Sequence, residues 1–421
     1  MIEERIIKKR ITHDQEKSYL NIEFALEDVE SVAIHYAYEK QRLDHSGQLL
    51  SNHSTIDFSI SAPNNQYLGS AGSNRSDFYF SETASSVGFQ NPDTMKGTWT
   101  IIAGAYHVPL EGLEVTYTLT IKKKQYQLVK GDTHMHTTSS DGQYSARSLI
   151  HQAEEMGLDF MIMTDHNNFM PKVNESDSSE VTVIPGVEWT QYRGHAGFLG
   201  EYQPFTGSFV TRDLASTQAK MQAVQNTGAL VVLNHPFCPH CPWEWGFDVP
   251  FTGVEIWNGG LTEAANYQAL TWWHQQLVAG EKLPMFGGSD FHRHTGQQTL
   301  ALPVTFVATQ SKSKTDILQA LKNGASYLSR RLNGPEIELN AGAVTFGQTL
   351  SSGDPITISF QQLSGQEEIK VITDTDEKSY YTQANQVAYT LEFVGKEQRF
   401  VRIEIWQEKQ LSVVTNAVYF F

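Results

Sequence analysis

Cysteine is almost absent from this chain: among 421 residues only Cys238 and Cys241 occur. Two cysteines are too few for a disulfide framework, which excludes the small cross-linked folds of secreted domains. Such sparse use of cysteine is typical of a protein in a reducing compartment.

Long hydrophobic runs are also missing. No apolar stretch is long enough to span a bilayer. The amino terminus, Met-Ile-Glu-Glu-Arg, is followed neither by an apolar segment nor by a small-residue cleavage site. We therefore expect a cytoplasmic protein that has no membrane partner.

Basic residues are few relative to acidic ones. The chain has 31 Lys and Arg against 47 Asp and Glu, which gives a net charge of −16. A surface of this charge repels phosphates over most of its area, so we expect no long nucleic acid as a partner. A local cationic site can still attract a small anion.

The chain is rich enough in apolar residues for several buried cores, since 40% of it is hydrophobic and 11% aromatic. Its length predicts two or three domains. Residues 1–124 alternate short β-like runs with loops of Ser, Asn and Gly, which predicts an N-terminal β-sandwich-like domain. After Gly334 and Pro335 the helical pattern stops, and residues 334–421 predict a small C-terminal β domain.

Residues 125–333 have a different rhythm, in which apolar runs of strand length alternate with helical stretches. This alternation predicts a parallel α/β core. The predicted strands are residues 160–163, 181–184, 230–233, 253–256 and 283–286. The predicted helices are residues 145–156, 213–226, 262–279 and 314–323.

Histidines and carboxylates gather where these strands end. The motifs are Asp132-Thr133-His134-Met135-His136, Ser140-Asp141-Gly142, Thr164-Asp165-His166-Asn167, Gly186-Val187-Glu188 followed by His195, Asn234-His235-Pro236, and Gly288-Ser289-Asp290-Phe291-His292. In a barrel of parallel strands these ends meet at one rim, where distant residues can surround metal ions. For a single motif, the usual alternative to metal binding is a histidine that packs in the core. That alternative does not explain why histidines and carboxylates occur at the ends of five successive strands. The sequence predicts a metallohydrolase.

The order of the motifs resembles the PHP (polymerase and histidinol phosphatase) family of phosphoesterases over about residues 131–292. The stretches beginning at Gly97, Glu255 and Thr415 resemble the CehA/McbA-type metallohydrolases. The resemblance implies an α/β fold with a distorted (β/α)7 TIM-like barrel, flanked by N-terminal and C-terminal β-sandwich-like domains. It also implies a cluster of two or three divalent metal ions.

The resemblance further implies a ligand set for each metal, carried over by position. The first set is His134, His136, Glu188 and Asp290; the second is Glu188, His195 and His235; the third is Asp141, His166 and His292. Asp141 stands where some relatives place a histidine, so the third metal is the least defined. The expected catalytic residues are Glu188, Asp290 and His195. Because the ligand atoms are oxygen and nitrogen, the metal could be Zn, Mn or Fe(II).

A cluster of divalent ions outweighs the charge of its carboxylates and favours an oxyanion. A hydroxide that bridges two metals is a strong nucleophile, because coordination lowers the pKa of water towards about 7. Hydrolysis of a small phosphomonoester or phosphodiester is the leading function. Cleavage of a carbamate or carboxylic ester at the same site is the alternative. A non-catalytic carbohydrate- or surface-binding protein is disfavoured, because nine polar groups at one rim are costly to retain without catalysis.

Three further residues are candidate substrate contacts. Arg193 and Arg293 lie beside the motifs and could clamp a phosphate, although surface arginines are common. Asn258 follows a predicted strand and could contact substrate, or it could shape the turn at Asn-Gly-Gly. An oligomer is compatible with the sequence.

The segment after His235 contains a CxxC motif and a cluster of aromatic residues. For Cys238 and Cys241, metal or redox chemistry competes with the simpler expectation of a structured loop. Trp243 and Trp245 either form a wall that favours small substrates or pack as core.

Overall fold

The computed structural model describes residues 2–43, 49–50, 53–170, 181–295 and 298–421. The described residues up to Gln125 form one compact unit, and those from Tyr126 onward form a second. The division lies next to residue 124, and residue 334 lies within the second unit; the three predicted domains stay a prediction. Among the described residues, no helix is both long and apolar enough to cross a membrane.

The first unit consists of antiparallel strands. They are β1 (Ile2–Ile11), β2 (Ser18–Leu26), β3 (Val29–Ala37), β4 (Arg42–Leu43), β5 (Leu49–Leu50), β6 (Thr55–Ala62), β7 (Gln66–Ala71), β8 (Asp77–Ser81), β9 (Gly97–His107) and β10 (Leu113–Lys123). One four-stranded sheet has the order β1-β10-β3-β8, a second has the order β2-β9-β6-β7, and β4 pairs with β5.

Alternation along the strands explains the core of the first unit. In β6, for example, Ile56, Phe58 and Ile60 are buried while the residues between them are partly exposed, because successive side chains of a strand point to opposite faces. Residues from both four-stranded sheets join a single apolar cluster. Within it Phe58 and Phe78 stack with ring centroids 3.9 Å apart.

The second unit is mixed α/β and rich in sheet. Its described strands are β11 (Gln127–Asp132), β12 (Phe160–Met163), β13 (Thr182–Gln191), β14 (Gly194–Leu199), β15 (Leu230–Asn234), β16 (Gly253–Asn258), β17 (Met285–Gly288), β18 (Val304–Thr309), β19 (Ser326–Ser329), β20 (Glu336–Leu339), β21 (Thr349–Leu350), β22 (Pro355–Gln361), β23 (Glu368–Thr373), β24 (Glu377–Tyr381), β25 (Tyr389–Val394), β26 (Phe400–Gln407), β27 (Gln410–Thr415) and β28 (Val418–Phe420). The four α-helices of the described chain are α1 (Ala146–Met156), α2 (Leu214–Gln225), α3 (Glu263–Ala279) and α4 (Lys314–Lys322).

Side-chain caps explain where three of these helices begin. Ser145, Asp213 and Ser313 each accept a hydrogen bond from the backbone N–H three residues later. Such caps satisfy N–H groups that lack a partner in the first turn. The four predicted helices agree with the observed ones to within one residue at each end.

A 15-stranded sheet contains the order β17-β16-β15-β14-β13-β12-β11-β18-β19-β27-β26-β23-β24. The pairs β11–β12, β12–β13, β15–β16 and β16–β17 are parallel. β13 and β14 form an antiparallel hairpin instead. The sequence predicted a strand at residues 181–184, but β13 continues to Gln191 and includes Glu188.

The carboxyl-terminal strands extend the same sheet. β27 pairs with β19 through Tyr327, Leu328 and Ser329. Ile403 and Val413 lie in one apolar cluster with residues of α1 and β12. Strands that share hydrogen bonds and a core with the α/β elements do not separate as a compact unit of their own, which is why the second unit runs on to the carboxyl terminus.

Backbone hydrogen bonds bring together the segments that follow β11 and β17. The N–H of Asp290 donates to the carbonyl of His134, and the N–H of His136 donates to the carbonyl of Phe291, both at 2.9 Å. Gly288 permits this approach, because a Cβ there would lie 2.5 Å from His134 Cβ. Two of the predicted ligand motifs therefore lie side by side.

The aromatic segment after His235 is core rather than wall. Trp243 and Trp245 are each 7% exposed and join the apolar cluster that contains Trp189 and Trp273. Gly194 makes room for Trp243, because a Cβ at that glycine would lie 2.6 Å from the indole. Of the two alternatives left open by the sequence, the structure favours packing.

Replacing Trp243 with alanine should lower the free energy of unfolding by about 3–5 kcal/mol, because a buried indole would leave a cavity. Denaturant unfolding of the variant measures this loss. The matched control is Tyr192→Ala, since Tyr192 is fully exposed in the turn of the same hairpin. Equal stabilities for the two variants would contradict the core assignment.

Candidate metal centre

Glu188 lies at the centre of the candidate site and is fully buried. Five histidines surround its carboxylate. The nitrogen-to-oxygen distances are 3.3 Å for His134, 3.6 Å for His136, 2.8 Å for His166, 3.2 Å for His195 and 3.1 Å for His235. Burying polar side chains costs free energy unless each has a partner. One carboxylate surrounded by five imidazoles is therefore unusual for a protein core.

The local backbone explains how these side chains converge. Glu188 and His195 come from the two strands of the β13–β14 hairpin. His235 follows β15 and Asp290 follows β17, and both have a left-handed backbone with φ of 30° and 51°. Residues other than glycine rarely adopt this conformation, and it costs free energy that surrounding contacts must offset. The backbone is thus held in a less common conformation at two of the points where side chains converge on the site.

The first predicted ligand set converges at the spacing that one metal ion requires. His134 Nε2 lies 3.3 Å from His136 Nε2 and 3.4 Å from Asp290 Oδ1. His136 Nε2 lies 3.0 Å from the same Asp290 oxygen. A tetrahedral metal with nitrogen ligands at about 2.0–2.1 Å places its ligand atoms about 3.3 Å apart.

The other two sets adjoin the first. Glu188 Oε1 is 3.2 Å from His195 Nδ1 and 3.1 Å from His235 Nε2. Asp141 Oδ1 is 3.2 Å from His292 Nε2 and 3.7 Å from His166 Nε2. Groups of histidine and carboxylate atoms within 4.8 Å of one another include His134–His136–Glu188 and His136–Asp141–His166–His292. The structure thus brings all nine predicted ligands together, and their binding of metal stays a prediction.

The donor atoms fit divalent metal ions. The buried His136 Nδ1 has no hydrogen-bond partner among the described residues, and Glu188 Oε2 has only the ion-pair contact with His166 Nδ1 at 2.8 Å. Unpaired buried polar atoms are rare in folded proteins and call for a ligand. Imidazole nitrogens and carboxylate oxygens suit Zn, Mn or Fe(II).

In the protein without metal, interactions between the buried histidines and carboxylates determine the pKa values of the cluster. Burial raises the pKa of Glu188, but His134, His166 and His195 outweigh burial and hold that pKa well below its usual value. Burial lowers the pKa of His134, but Asp290, Glu255 and Glu188 outweigh it and raise that pKa well above 6.5. When no metal is bound, the cluster therefore contains protonated histidines paired with ionised carboxylates.

Metal binding should release protons near neutral pH. The pKa of His235 is also raised well above 6.5, because Cys241 and Glu188 outweigh the effect of burial. A metal takes the neutral imidazole, so it must displace the protons on His134 and His235. Apparent affinity should rise with pH from about 6.5 upward, until the pH passes these raised pKa values.

Calorimetric titrations with metal, in two buffers of different ionisation enthalpy, measure the number of protons released. His151→Ala is the control, because His151 is exposed on α1 and should leave that number unchanged. An affinity independent of pH between 6.5 and 8, with no proton release, would contradict the predicted protonation of the cluster.

Glu255 is a buried residue of the site that sequence reasoning did not assign a role. Its Oε1 lies 3.0 Å from His134 Nδ1. Its Oε2 accepts hydrogen bonds from the backbone N–H of His235 at 2.9 Å and from Asn258 Nδ2 at 3.1 Å. An outer partner of this kind fixes the tautomer and orientation of a metal-binding imidazole. The available signal was a carboxylate between the apolar residues Val254 and Ile256 of strand β16.

Two aspartates of the motifs shape the backbone of the site. Asp132 is buried and accepts hydrogen bonds from the N–H groups of Ser289 at 3.0 Å and Ala301 at 2.8 Å. Asp165 accepts hydrogen bonds from the N–H of Thr137 at 2.8 Å and from Ser140 Oγ at 2.6 Å. These bonds hold the turns that carry Asp290 and Asp141.

The three predicted substrate contacts have different surroundings. Asn258 is buried, and its amide donates to Glu255 and, at 3.2 Å, to the predicted metal ligand Asp290, so its contact with substrate stays a prediction. Arg193 packs over Trp245 at 4.3 Å and donates to the carbonyl of Glu244. Arg293 is exposed next to His292 and remains a candidate substrate contact.

No known family model matches the chain. The DNA polymerase/3'-5' exonuclease PolX of Bacillus subtilis (strain 168) is 38% identical over 64 residues. The matched segment is 15% of this chain and 11% of the polymerase, so the chain spans about a tenth of that relative.

Several solved structures are similar at low identity. A two-domain protein from Bacteroides vulgatus, described as containing a PHP-like metal-dependent phosphoesterase, has 16% identity and a TM-score of 0.41 over 69% of this chain and 95% of its own. A protein from Bifidobacterium adolescentis, assigned by its description to the metal-dependent phosphoesterases, has 18% identity and a TM-score of 0.32 over 40% of this chain and 90% of its own. An amidohydrolase from Chromobacterium violaceum has 14% identity and a TM-score of 0.28 over 40% of this chain and 89% of its own. Structural similarity of this degree does not establish a shared function.

Proposed function

We propose that this protein is a metal-dependent hydrolase of small phosphomonoesters or phosphodiesters. The observation that carries the proposal is the buried Glu188 carboxylate, ringed by five histidines and adjoined by Asp290, with nitrogen and oxygen atoms at the spacing of metal ligands. Divalent ions at such a site supply positive charge for phosphoryl oxygens and an activated water nucleophile.

We also propose that the second unit is a PHP-type domain of the CehA/McbA kind, with a closed (β/α)7 barrel. The seven strands β11 to β17 are adjacent in one sheet, and the segments after the first and the last are joined by backbone hydrogen bonds. The local identity to a polymerase that is named an exonuclease supports phosphoester chemistry, because an exonuclease hydrolyses phosphodiesters.

Water, rather than a protein side chain, is the proposed nucleophile. The two serines within the motifs are already engaged, since Ser289 Oγ donates to Asp132 and Ser140 Oγ donates to Asp165. A serine nucleophile requires a neighbouring base that takes its proton, and these carboxylates instead support turns. Intact mass during turnover should therefore show no phosphoserine, and hydrolysis in labelled water should place oxygen-18 in the phosphate and none in the released alcohol.

The net charge of −16 favours a small substrate over a long nucleic acid. The test is a panel of an aryl phosphomonoester, an aryl phosphodiester, an aryl carbamate and single-stranded DNA. Metal-stripped protein is reconstituted with Mn, Zn or Fe(II) before each assay. We expect metal-dependent release of the aryl alcohol from at least one phosphoester, and His151→Ala should behave as wild type.

Three outcomes would contradict the proposal. Cleavage of the carbamate alone would assign the same site to carboxylic acid chemistry. Processive degradation of single-stranded DNA would refute the preference for small substrates. Absence of metal from protein reconstituted with all three ions would remove its basis.

A further inference from the structure

The two cysteines of the chain form a close pair beside the candidate metal centre. Cys238 and Cys241 are both free thiols, and their sulfur atoms lie 3.1 Å apart. Cys238 is buried and Cys241 is partly exposed. A disulfide bond is about 2.05 Å long, so closing the pair requires the sulfurs to approach by about 1 Å.

The loop that carries the pair is held to the site. The N–H of Cys238 donates to the carbonyl of His235 at 2.9 Å, and the N–H of Trp243 donates to the carbonyl of Pro236 at 2.9 Å. Within the loop, the N–H groups of His240 and Cys241 each lie 3.4 Å from Cys238 Sγ. These short-range hydrogen bonds therefore hold the two thiols close to each other within one short loop.

One sulfur of the pair contacts a predicted metal ligand. Cys241 Sγ lies 3.8 Å from His235 Nδ1, while Nε2 of the same ring faces Glu188. When Nε2 of an imidazole binds a metal, Nδ1 carries the proton and donates it to an outer partner. Cys241 is placed to be that partner.

We propose that Cys238 and Cys241 form a reversible disulfide when exposed to a low-molecular-weight disulfide, and that this bond weakens metal binding at the position shared by His235. The sulfur of Cys241 attacks the small disulfide and releases one of its halves as a thiol. The sulfur of Cys238 then attacks the mixed disulfide and releases the second half. Two protein thiols and one small disulfide thus become one protein disulfide and two small thiols.

The effect on metal binding follows from the contact with His235. A disulfide sulfur is drawn towards Cys238 and is a poorer acceptor than a thiol, so His235 Nδ1 loses its partner. Loss of an outer partner typically weakens metal affinity by about 10–100-fold. We expect a loss of about tenfold, because the sulfur contact is long. The proposal depends on metal binding and not on which ester is cleaved.

The test uses the full chain, oxidised glutathione and Mn²⁺. Intact mass should show the loss of two hydrogen atoms from wild type and a glutathione adduct on Cys238→Ser, which lacks the resolving thiol. Mn²⁺ is titrated by electron paramagnetic resonance, because this ion prefers oxygen and nitrogen over thiolate ligands. Oxidised wild type should bind Mn²⁺ about tenfold more weakly than reduced wild type, and added dithiothreitol should restore the affinity.

Cys241→Ala provides the matched control. It removes the outer partner without forming a disulfide, so its affinity should equal that of oxidised wild type and should not respond to glutathione. An unchanged mass after oxidation would overturn the proposed disulfide, and a disulfide with unchanged Mn²⁺ affinity would overturn the coupling. One extra Zn²⁺ bound by reduced wild type relative to Cys238→Ser would make the pair a metal site instead. None of these measurements uses catalysis, so a failed phosphoesterase assay is a separate result.

Discussion

Replacing Glu188 with glutamine should remove bound metal from two of the three predicted positions and abolish metal-dependent hydrolysis. The carboxylate lies within 3.6 Å of five imidazoles, and glutamine keeps its shape while removing its charge. An amide binds these metals poorly and cannot bridge two of them. Elemental analysis of reconstituted protein should find at most one ion where wild type holds two or three.

Asp141→Asn is the informative comparison for Glu188→Gln. Asp141 pairs with His166 and His292 and is more than half exposed, so its loss should cost at most one ion and part of the activity. His151→Ala should change neither metal content nor rate. Equal and mild losses in the Glu188 and Asp141 variants would contradict the central role of Glu188.

The predicted helices and strands of the α/β segment could be recognised because each depends on local pattern. β12 is a run of four buried apolar residues, Phe160–Met163, and matches its prediction. The β13–β14 hairpin was missed because the polar residues from Glu188 onward interrupt an apolar run, although the strand continues through them. The extension of the sheet by β27 and β26 was missed for another reason: pairing between distant strands leaves no periodic signal in the sequence.

The convergence of the predicted ligand residues could be anticipated because the chemistry of metal binding restricts residue type and position, while their binding of metal stays a prediction. Histidine and carboxylate at successive strand ends form a pattern that packing does not require. Their supporting residues could not be assigned in this way. Glu255 contacts His134, which is 121 residues away, and Asn258 donates to Asp290, which is 32 residues away. A single buried carboxylate in a strand does not identify such a partner.

Replacing Glu255 with glutamine should weaken metal binding by about 10–100-fold without removing a ligand. The carboxylate contacts His134 Nδ1 at 3.0 Å and accepts the N–H of His235 at 2.9 Å. Glutamine has only one acceptor oxygen, so one of these donors would face an amide NH₂ group. Because Glu255 raises the pKa of His134, the variant should also release fewer protons when metal binds.

A purely structural role for Glu255 would lower the melting temperature but leave the number of released protons unchanged. Calorimetric titration with Mn²⁺ in two buffers distinguishes these cases, because it gives affinity and proton release together. Glu404→Gln is the matched control, since Glu404 is also buried but is paired with Arg402 at 2.6 Å. That variant should lose stability and keep wild-type metal affinity. If Glu255→Gln behaved like Glu404→Gln, Glu255 would be a packing residue and not the outer partner of the metal ligands.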